Sequence, residues 1–296
     1  MHPAASARGG ERTSGTRFAY QGEPGAFSEE MIQAIDPTAW AVPYPTFALA
    51  VTALVAGEVV RAVLPVENSL GGVVQEVSDQ LTEHPVRIVA EHRLPVRHCL
   101  LVAGDGGGDP PTVTRVRSHP QALAQCRRYL ERIGAAALPA GDTAGAARAL
   151  AERPEPGVGV IASAAAARRY GLRVVATDIQ DHAGNTTRFV TVARGAAGRP
   201  TGQSPVPGKV SLTVETSHRP GSLHAALGVF ASRHLNLTRL DSRPIPDRTF
   251  EYRYYLDFEY DEAGRAAAAL DALVGVAHAV QVLGVYAPVG ADAGAP

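Results

Sequence analysis

The stretch RFAYQGEPGAFSEEMI, residues 17–32, reads as a short strand, a tight turn and a helix. Residues 18–21 are brief and mostly apolar, and Gly22-Glu23-Pro24-Gly25 carries turn chemistry. Ser28 stands as the expected N-cap, followed by Glu29 and Glu30, whose charges complement the positive end of a helix. The same alternation recurs downstream. Strands are expected near residues 61–65, 86–90, 99–103, 114–117, 158–162 and 189–193. Helices between many of them have marked starts: Ser118-His119-Pro120-Gln121 with capping-box spacing, Asp142 ahead of 143–151, and Ser163 ahead of 164–170, stopped by Gly171. Strands alternating with helices make this an α/β protein.

Further along, residues 195–208 are rich in Gly, Pro, Ser and Thr without apolar periodicity, which predicts a linker closing a first domain at 17–194. Beyond it Val210, Leu212 and Val214 alternate as in a strand, and Leu223, Ala226, Leu227 and Phe230 fall on one helical face. Strands near 235–242 and 251–260, a helix over 263–273 and a strand over 280–286 complete a second domain at 209–287. That order, β-α-β-β-α-β, is the ferredoxin-like split unit. Residues 1–16 read as a disordered tail and 288–296 as a flexible one.

Composition narrows the function classes. A chain of 296 residues suits two cores better than one. With 45% hydrophobic residues and a net charge of −1 it lacks the basic excess that nucleic acid demands, and without a long apolar run it offers no membrane span. Cys99 and Cys126 are too few for a disulfide framework, so a reducing cytoplasm is expected. Lys209 is the only lysine; the other basic side chains apart from histidine are arginines. Zinc-type histidine pairs, a G-x-S-x-G elbow and a P-loop are all missing, and the glycine run after Gly104 reads as a surface turn. Neither metal nor cofactor is expected.

What remains is a set of small polar residues at strand ends and helix starts: Glu67-Asn68-Ser69, Ser118, Gln125 and Thr187-Arg188. In an open α/β sheet ligands sit at strand carboxyl ends, so these side chains can converge on one cleft. Each also has an ordinary structural reading. Ser118 suits a cap, Glu67-Asn68-Ser69 a polar turn, Thr187 a β-strand and Cys126 a buried hydrophobe.

Four segments tip that balance. Gly22–Ser28 follows G-x-x-G-x-F-S, residues 65–69 follow P-x-E-N-S, 118–126 read S-H-P-Q-A-L-x-Q-C, and 185–189 read N-x-T-R-F. In order and spacing they resemble the prephenate dehydratases, over residues 17–286. The resemblance implies a bilobed α/β catalytic domain, like a periplasmic binding protein, with a central cleft and a C-terminal ACT regulatory domain. It implies conversion of prephenate to phenylpyruvate, carbon dioxide and water, with Thr187 as hydrogen-bond donor to the departing hydroxyl. Asn68, Ser118 and Gln125 would orient the substrate, and Glu67 would support them. Arg188, Ser69, Phe189, Gly25 and Ser28 are the implied substrate contacts, although Arg188 could instead pair with Asp178 or Asp181. Gly221, Ser222, Leu223, Asn236, Leu237, Asp241, Ser242 and Arg243 are the implied phenylalanine site, with Asp241 where the family usually has Glu. Pairing of ACT domains implies a homodimer or tetramer. The alternatives are an arogenate dehydratase, a prephenate decarboxylase that leaves the ring non-aromatic, and a cytoplasmic sensor without catalysis.

Overall fold

The computed structural model describes residues 15–104, 112–245 and 248–290, so most of the expected N-terminal tail, the glycine run beyond Gly104 and residues 291–296 lie outside the described residues. The first lobe begins with β1 (Arg17–Gln21), α1 (Phe27–Ile35), β2 (Trp40–Tyr44) and α2 (Phe47–Ala56). It continues with β3 (Arg61–Asn68), β4 (Gly72–Val73), α3 (Gln75–Glu83) and β5 (Val86–Pro95). The second lobe holds β6 (Cys99–Val102), β7 (Arg115–Ser118), α4 (Pro120–Gln125), α5 (Arg127–Ile133) and β8 (Ala136–Pro139). It ends with α6 (Thr143–Glu152), β9 (Val158–Ala162), α7 (Ala164–Tyr170) and β10 (Arg173–Ala176), after which β11 (Thr186–Arg194) returns to the first lobe.

Each lobe has its own sheet. The second runs β10-β6-β9-β7-β8, with β9 at its centre. The sequence of β9, VGVIA, is buried at every position, as expected of a strand covered on both faces. The first runs β5-β11-β3-β1-β2, with β4 hooked onto β3. Chain crosses between lobes twice, and the crossings bond to one another: Val96 N–H donates to Asn185 O at 2.8 Å and Ile179 N–H to His98 O at 3.1 Å. His98 N–H also donates to Gln180 Oε1 at 2.9 Å. A two-stranded hinge therefore lies directly behind the gap between the lobes.

The C-terminal unit is β12 (Gly208–Glu215), α8 (Ser222–Ala231), β13 (Asn236–Pro244), β14 (Tyr252–Tyr260), α9 (Ala263–Val276) and β15 (Ala279–Tyr286), in the sheet order β13-β14-β12-β15. Its edge strand β15 continues the first lobe's sheet through a parallel pairing of Gly284 with Ile88. A Cβ on Gly284 would lie 2.6 Å from both Cβ and O of Ile88, so only glycine permits this seam. Tyr255, Leu283 and Tyr286 join Leu64, Val190 and other first-lobe residues in one apolar core. Such a fully buried side chain contributes roughly 1.5–3 kcal/mol, which makes the seam a substantial part of the fold.

Several expectations are corrected. Helix α1 starts before Ser28, with Ala26 as its N-cap and no side-chain cap, and the Glu29 carboxylate reaches back to Gly25 N–H ahead of the helix. Ser118 caps nothing; it ends β7, and His119 Nδ1 accepts from Gln121 N–H at 3.2 Å instead. Asp142 and Ser163 do cap, accepting from Gly145 N–H at 2.6 Å and Ala166 N–H at 3.0 Å. Gly208 already belongs to β12, and Val289, expected in the flexible tail, donates its N–H to Glu91 Oε1 at 2.9 Å. Both cysteines are free and buried, and burial pushes the Cys126 thiol up to about 12. Among the described residues no helix is long and apolar enough to cross a membrane, and no group of metal-ligating side chains occurs.

Candidate active site

A cleft of about 270 Å³ lies between the lobes, over the hinge. Thr187 enters it from the start of β11, directly across from Asn68 at the end of β3. The Asn68 amide donates to Thr187 Oγ1 at 3.0 Å and to Asn185 Oδ1 at 2.8 Å. Its own Oδ1 accepts from Leu70 and Gly71 N–H at 3.1 and 2.8 Å, which fixes the amide's orientation. Since Thr187 Oγ1 already accepts a hydrogen bond, its proton is left to donate into the cleft.

The chain of bonds continues across the hinge. Asn185, fully buried, donates from Nδ2 to Gln125 Oε1 at 3.0 Å, and the same oxygen lies 2.9 Å from His98 Nε2. A carbonyl oxygen only accepts, so His98 carries its proton on Nε2 and a lone pair on Nδ1. Burial pushes the His98 imidazole below its ordinary pKa, against the opposing pull of the Gln125 bond, which keeps the ring neutral. His98 Nδ1 has no partner among the described residues, and the ring packs edge-on against Phe27. Thr187, Asn68, Asn185, Gln125 and His98 thus form one polar chain through both lobes and both crossings.

Apart from Gln21 and Gly22 at the end of β1, the remaining lining is apolar or comes from helix starts. Phe189 is 1% exposed and forms the floor with Pro65, Val74 and Val96. Phe27 and Ser28 belong to the first turn of α1, which has no side-chain cap; His119, Gln121, Asp142 and Thr143 sit at the starts of α4 and α6. The described lining residues include no lysine or arginine. Partial positive charge comes from the helix N-termini, whose free N–H groups suit a carboxylate.

The structure gathers Thr187, Asn68, Gln125, Ser28 and Phe189 at the cleft and sends other expected residues elsewhere. Ser118 Oγ donates to Ile161 O at 2.7 Å and is fully buried between β7 and β9, outside the cleft lining. Glu67, next to Asn68 on β3, does not line the cleft. Ser69 clasps the returning crossing, donating to Gly184 O at 3.2 Å and accepting from Thr186 N–H at 3.0 Å. Gly25 joins the lobes: its carbonyl accepts from Ser163 Oγ at 2.9 Å. His98, Asn185, His119, Gln121, Asp142 and Thr143 are cleft or network residues that sequence reasoning did not assign. The last four stand in or beside recognised helix starts, which was the available signal, whereas His98 has no local cue.

Arg188 is corrected most sharply. Its guanidinium donates from Nε to Glu91 Oε2 at 2.8 Å, from Nη1 to Asp257 Oδ2 at 2.6 Å and from Nη2 to the Tyr286 hydroxyl at 3.0 Å. Burial disfavours its charge, and the carboxylates of Asp257 and Glu91 more than offset that, raising its pKa above the ordinary value. Asp178 pairs with Arg97, and Asp181 accepts from Arg128 N–H, so neither is its partner.

The implied regulatory residues divide between two faces of the C-terminal sheet. Gly221, at φ +84°, caps α8, Ser222 and Leu223 open it, and Leu237 and the register partner of Ser242, Tyr254, pack in the helix-covered core. Asp241 is opposite Tyr255 on the other face, and Arg243 donates to Gln75 Oε1 at 2.5 Å and Asp79 Oδ2 at 2.6 Å on α3. Asn236 opens β13 opposite Glu259. Within one chain the eight residues do not form a single pocket.

With this geometry in place, relatives fit it closely. The prephenate dehydratase family model matches residues 18–197. Arogenate dehydratase 2 of Petunia hybrida is 42% identical over 290 residues, covering 91% of this chain and 71% of that protein. The structure of prephenate dehydratase from Arthrobacter aurescens in complex with L-Phe superposes with a TM-score of 0.81 at 31% identity, covering 94% of this chain and 91% of that one. GqqA, described as a novel type of quorum quenching acylase, gives 0.84 at 33%, covering 93% and 98%. The family model spans more than half of the chain and the Petunia relative is covered to more than two thirds, so this chain belongs to the prephenate dehydratase family.

Proposed function

We propose that the interlobe cleft takes prephenate and releases phenylpyruvate, carbon dioxide and water, with Thr187 as donor to the departing hydroxyl. The observation that carries this reading is the Asn68-to-Thr187 bond, 3.0 Å, which leaves the threonine proton for the substrate. As the ring carboxylate's C–C bond breaks, its electron pair enters the ring and the C–O bond opposite breaks. Hydroxide leaves with a proton shared from Thr187 and ultimately supplied by solvent. The hydrogen bond strengthens as negative charge grows on the leaving oxygen, so it favours the transition state over the bound substrate. A threonine hydroxyl is a weak acid, and donation describes its part better than full transfer.

A cleft without cationic lining also suits the other bond that breaks. A lysine or arginine clamped on the ring carboxylate would hold negative charge where it is being lost, and so would stabilise the ground state. Helix N-termini at Phe27 and Ser28 offer a weaker grip, adequate for orientation. Gln125 and Asn185 keep the hinge and Asn68 in register.

The C-terminal unit resembles an ACT domain, and its βαββαβ order, together with the L-Phe bound to the Arthrobacter aurescens relative, supports phenylalanine as a feedback ligand. Because the implied residues lie on two faces, a site built between copies of the chain, in a homodimer or a tetramer of dimers, accounts for them best. Two buried free cysteines favour a reducing compartment such as the cytoplasm.

Arogenate, with an amine in place of the keto group, is the second reading, favoured by the Petunia relative. Supplying purified protein with each substrate separates the readings: phenylpyruvate from prephenate supports the first, phenylalanine from arogenate alone supports the second. Bound prephenate with no product would leave only a sensor.

A further inference from the structure

Thr187 and Arg188 are neighbours on β11, yet one serves the cleft and the other a buried cluster of charges. Glu91 Oε1 and Oε2 each lie 3.1 Å from Lys209 Nζ on β12, and Glu91 also accepts from Arg188 and from Val289 N–H. Asp257 on β14 and Tyr286 on β15 hold the rest of the Arg188 fork, and Tyr286 is 2.6 Å from Ser211 Oγ. Side chains of Glu91, Asp257 and Lys209 are 0%, 1% and 3% exposed, so water does not compete for these bonds. Guanidinium geometry is planar and fixed, and three of its nitrogens are engaged. The C-terminal unit supplies Asp257, Tyr286 and Lys209 of this set.

Position of the backbone follows from that grip. The register between β11 and β3 shifts between Arg188 and Phe189, leaving Val66 of β3 unpaired, so a bulge on β3 lies directly opposite the residue the cluster holds. A bulge re-aims the side chains beside it. Thr187 precedes the anchored Arg188 on β11 and pairs with Asn68 beside the bulge, so its direction depends on how the cluster holds Arg188 against that irregular stretch of β3.

We propose that Arg188 is a positioning residue and that Asp257 and Tyr286 of the C-terminal unit, acting through it, aim the Thr187 hydroxyl. The C-terminal unit is then a working part of the active site, and any ligand that shifts β14 or β15 against β5 changes turnover by moving Thr187. This rests on the reading of Thr187 as donor.

The test uses the full chain with prephenate, separating kcat from KM and recording the melting temperature of each variant. Asp257→Asn keeps shape and removes charge, and Tyr286→Phe keeps bulk and removes the hydroxyl. Each is expected to lower kcat about ten-fold or more with KM within about three-fold, since a displacement of one ångström at a reacting group has effects of that order. Asp79→Asn, which loosens the separate contact of Arg243 with α3, is expected to lower the melting temperature and leave kcat unchanged. Folded Tyr286→Phe or Asp257→Asn with wild-type kcat and only a lower melting temperature would overturn the proposal. Should Asp257→Asn fail to fold, the near-isosteric Tyr286→Phe decides alone. Wild type without turnover on either substrate would instead defeat the functional reading, a distinct outcome.

Discussion

At the scale of single residues, the hydroxyl of Thr187 and the ring of His98 make the clearest demands. Thr187→Ala removes a donor needed only as charge develops, so kcat is expected to fall by about 10²–10³ while substrate affinity changes little. Steady-state kinetics with calorimetric binding checks both halves. For His98, burial holds the folded-state pKa below the ordinary imidazole value of about 6.5, while the unfolded chain binds protons at that value. The unfolded state therefore gains protons first as pH falls. The stability contribution is present above about pH 6.5 and is lost as pH falls below it. Melting temperatures between pH 8 and 5 are expected to drop with acidity, less steeply in His98→Asn; an identical slope in that variant would assign the effect to His92, which burial depresses in the same direction. Thr187, Asn68 and Gln125 are legible in sequence because they sit in short motifs. His98 is not, and Asn185, although it opens the 185–189 motif, gains its role only where two crossings from distant parts of the chain meet.

Among the elements, legibility follows how local the deciding interaction is. Asp142 and Ser163 announce their helices because the cap is made with a backbone N–H three residues on. Ser28 and Ser118 cap nothing, since α1 already begins at Phe27 and His119 takes the cap of α4. Strands β2, β8 and β10 escape notice because each is a short edge strand of four or five residues, largely exposed or half-buried, that exists through its pairing. The turn between β1 and α1 is legible as a turn but not as a joint. Gly25 has φ +91°, and a Cβ there would lie 2.9 Å from Ala166 Cα on α7. Gly25→Ala is expected to destabilise by roughly 1–3 kcal/mol in urea unfolding and to lower kcat, because it forces apart two elements from opposite lobes. An unchanged unfolding midpoint would show that the lobes yield freely at this contact.

Over the whole molecule, the apparent division into catalytic and C-terminal parts gives way to one continuous sheet with a charged seam. Arg188 could not be assigned from sequence because Asp257 and Tyr286 lie 69 and 98 residues further along and Glu91 lies 97 residues back. Removing one charge from such a cluster leaves its partner buried and unpaired, and Glu91→Gln is expected to lower unfolding free energy by about 3–5 kcal/mol. Denaturant titration of the full chain checks this, with loss of a single cooperative transition expected if the C-terminal unit detaches first. Buried thiols give a complementary measure: Cys99 and Cys126 should resist alkylation in the native chain and react promptly once it unfolds.

Lys209, the lone lysine in the chain, sits inside that seam. To any reagent or enzyme that acylates side-chain amines, the closed protein therefore offers no lysine to modify. Labelling can proceed only while β12 and β5 are parted, so its rate counts openings of the seam on a single, unambiguous atom. Peptide mapping by mass spectrometry after a brief pulse of acetylating reagent should show Lys209 protected in the native chain and fully modified in denaturant, with phenylalanine or prephenate altering the native rate by whatever amount each changes the opening. One buried amine thus turns an interdomain equilibrium into a mass shift.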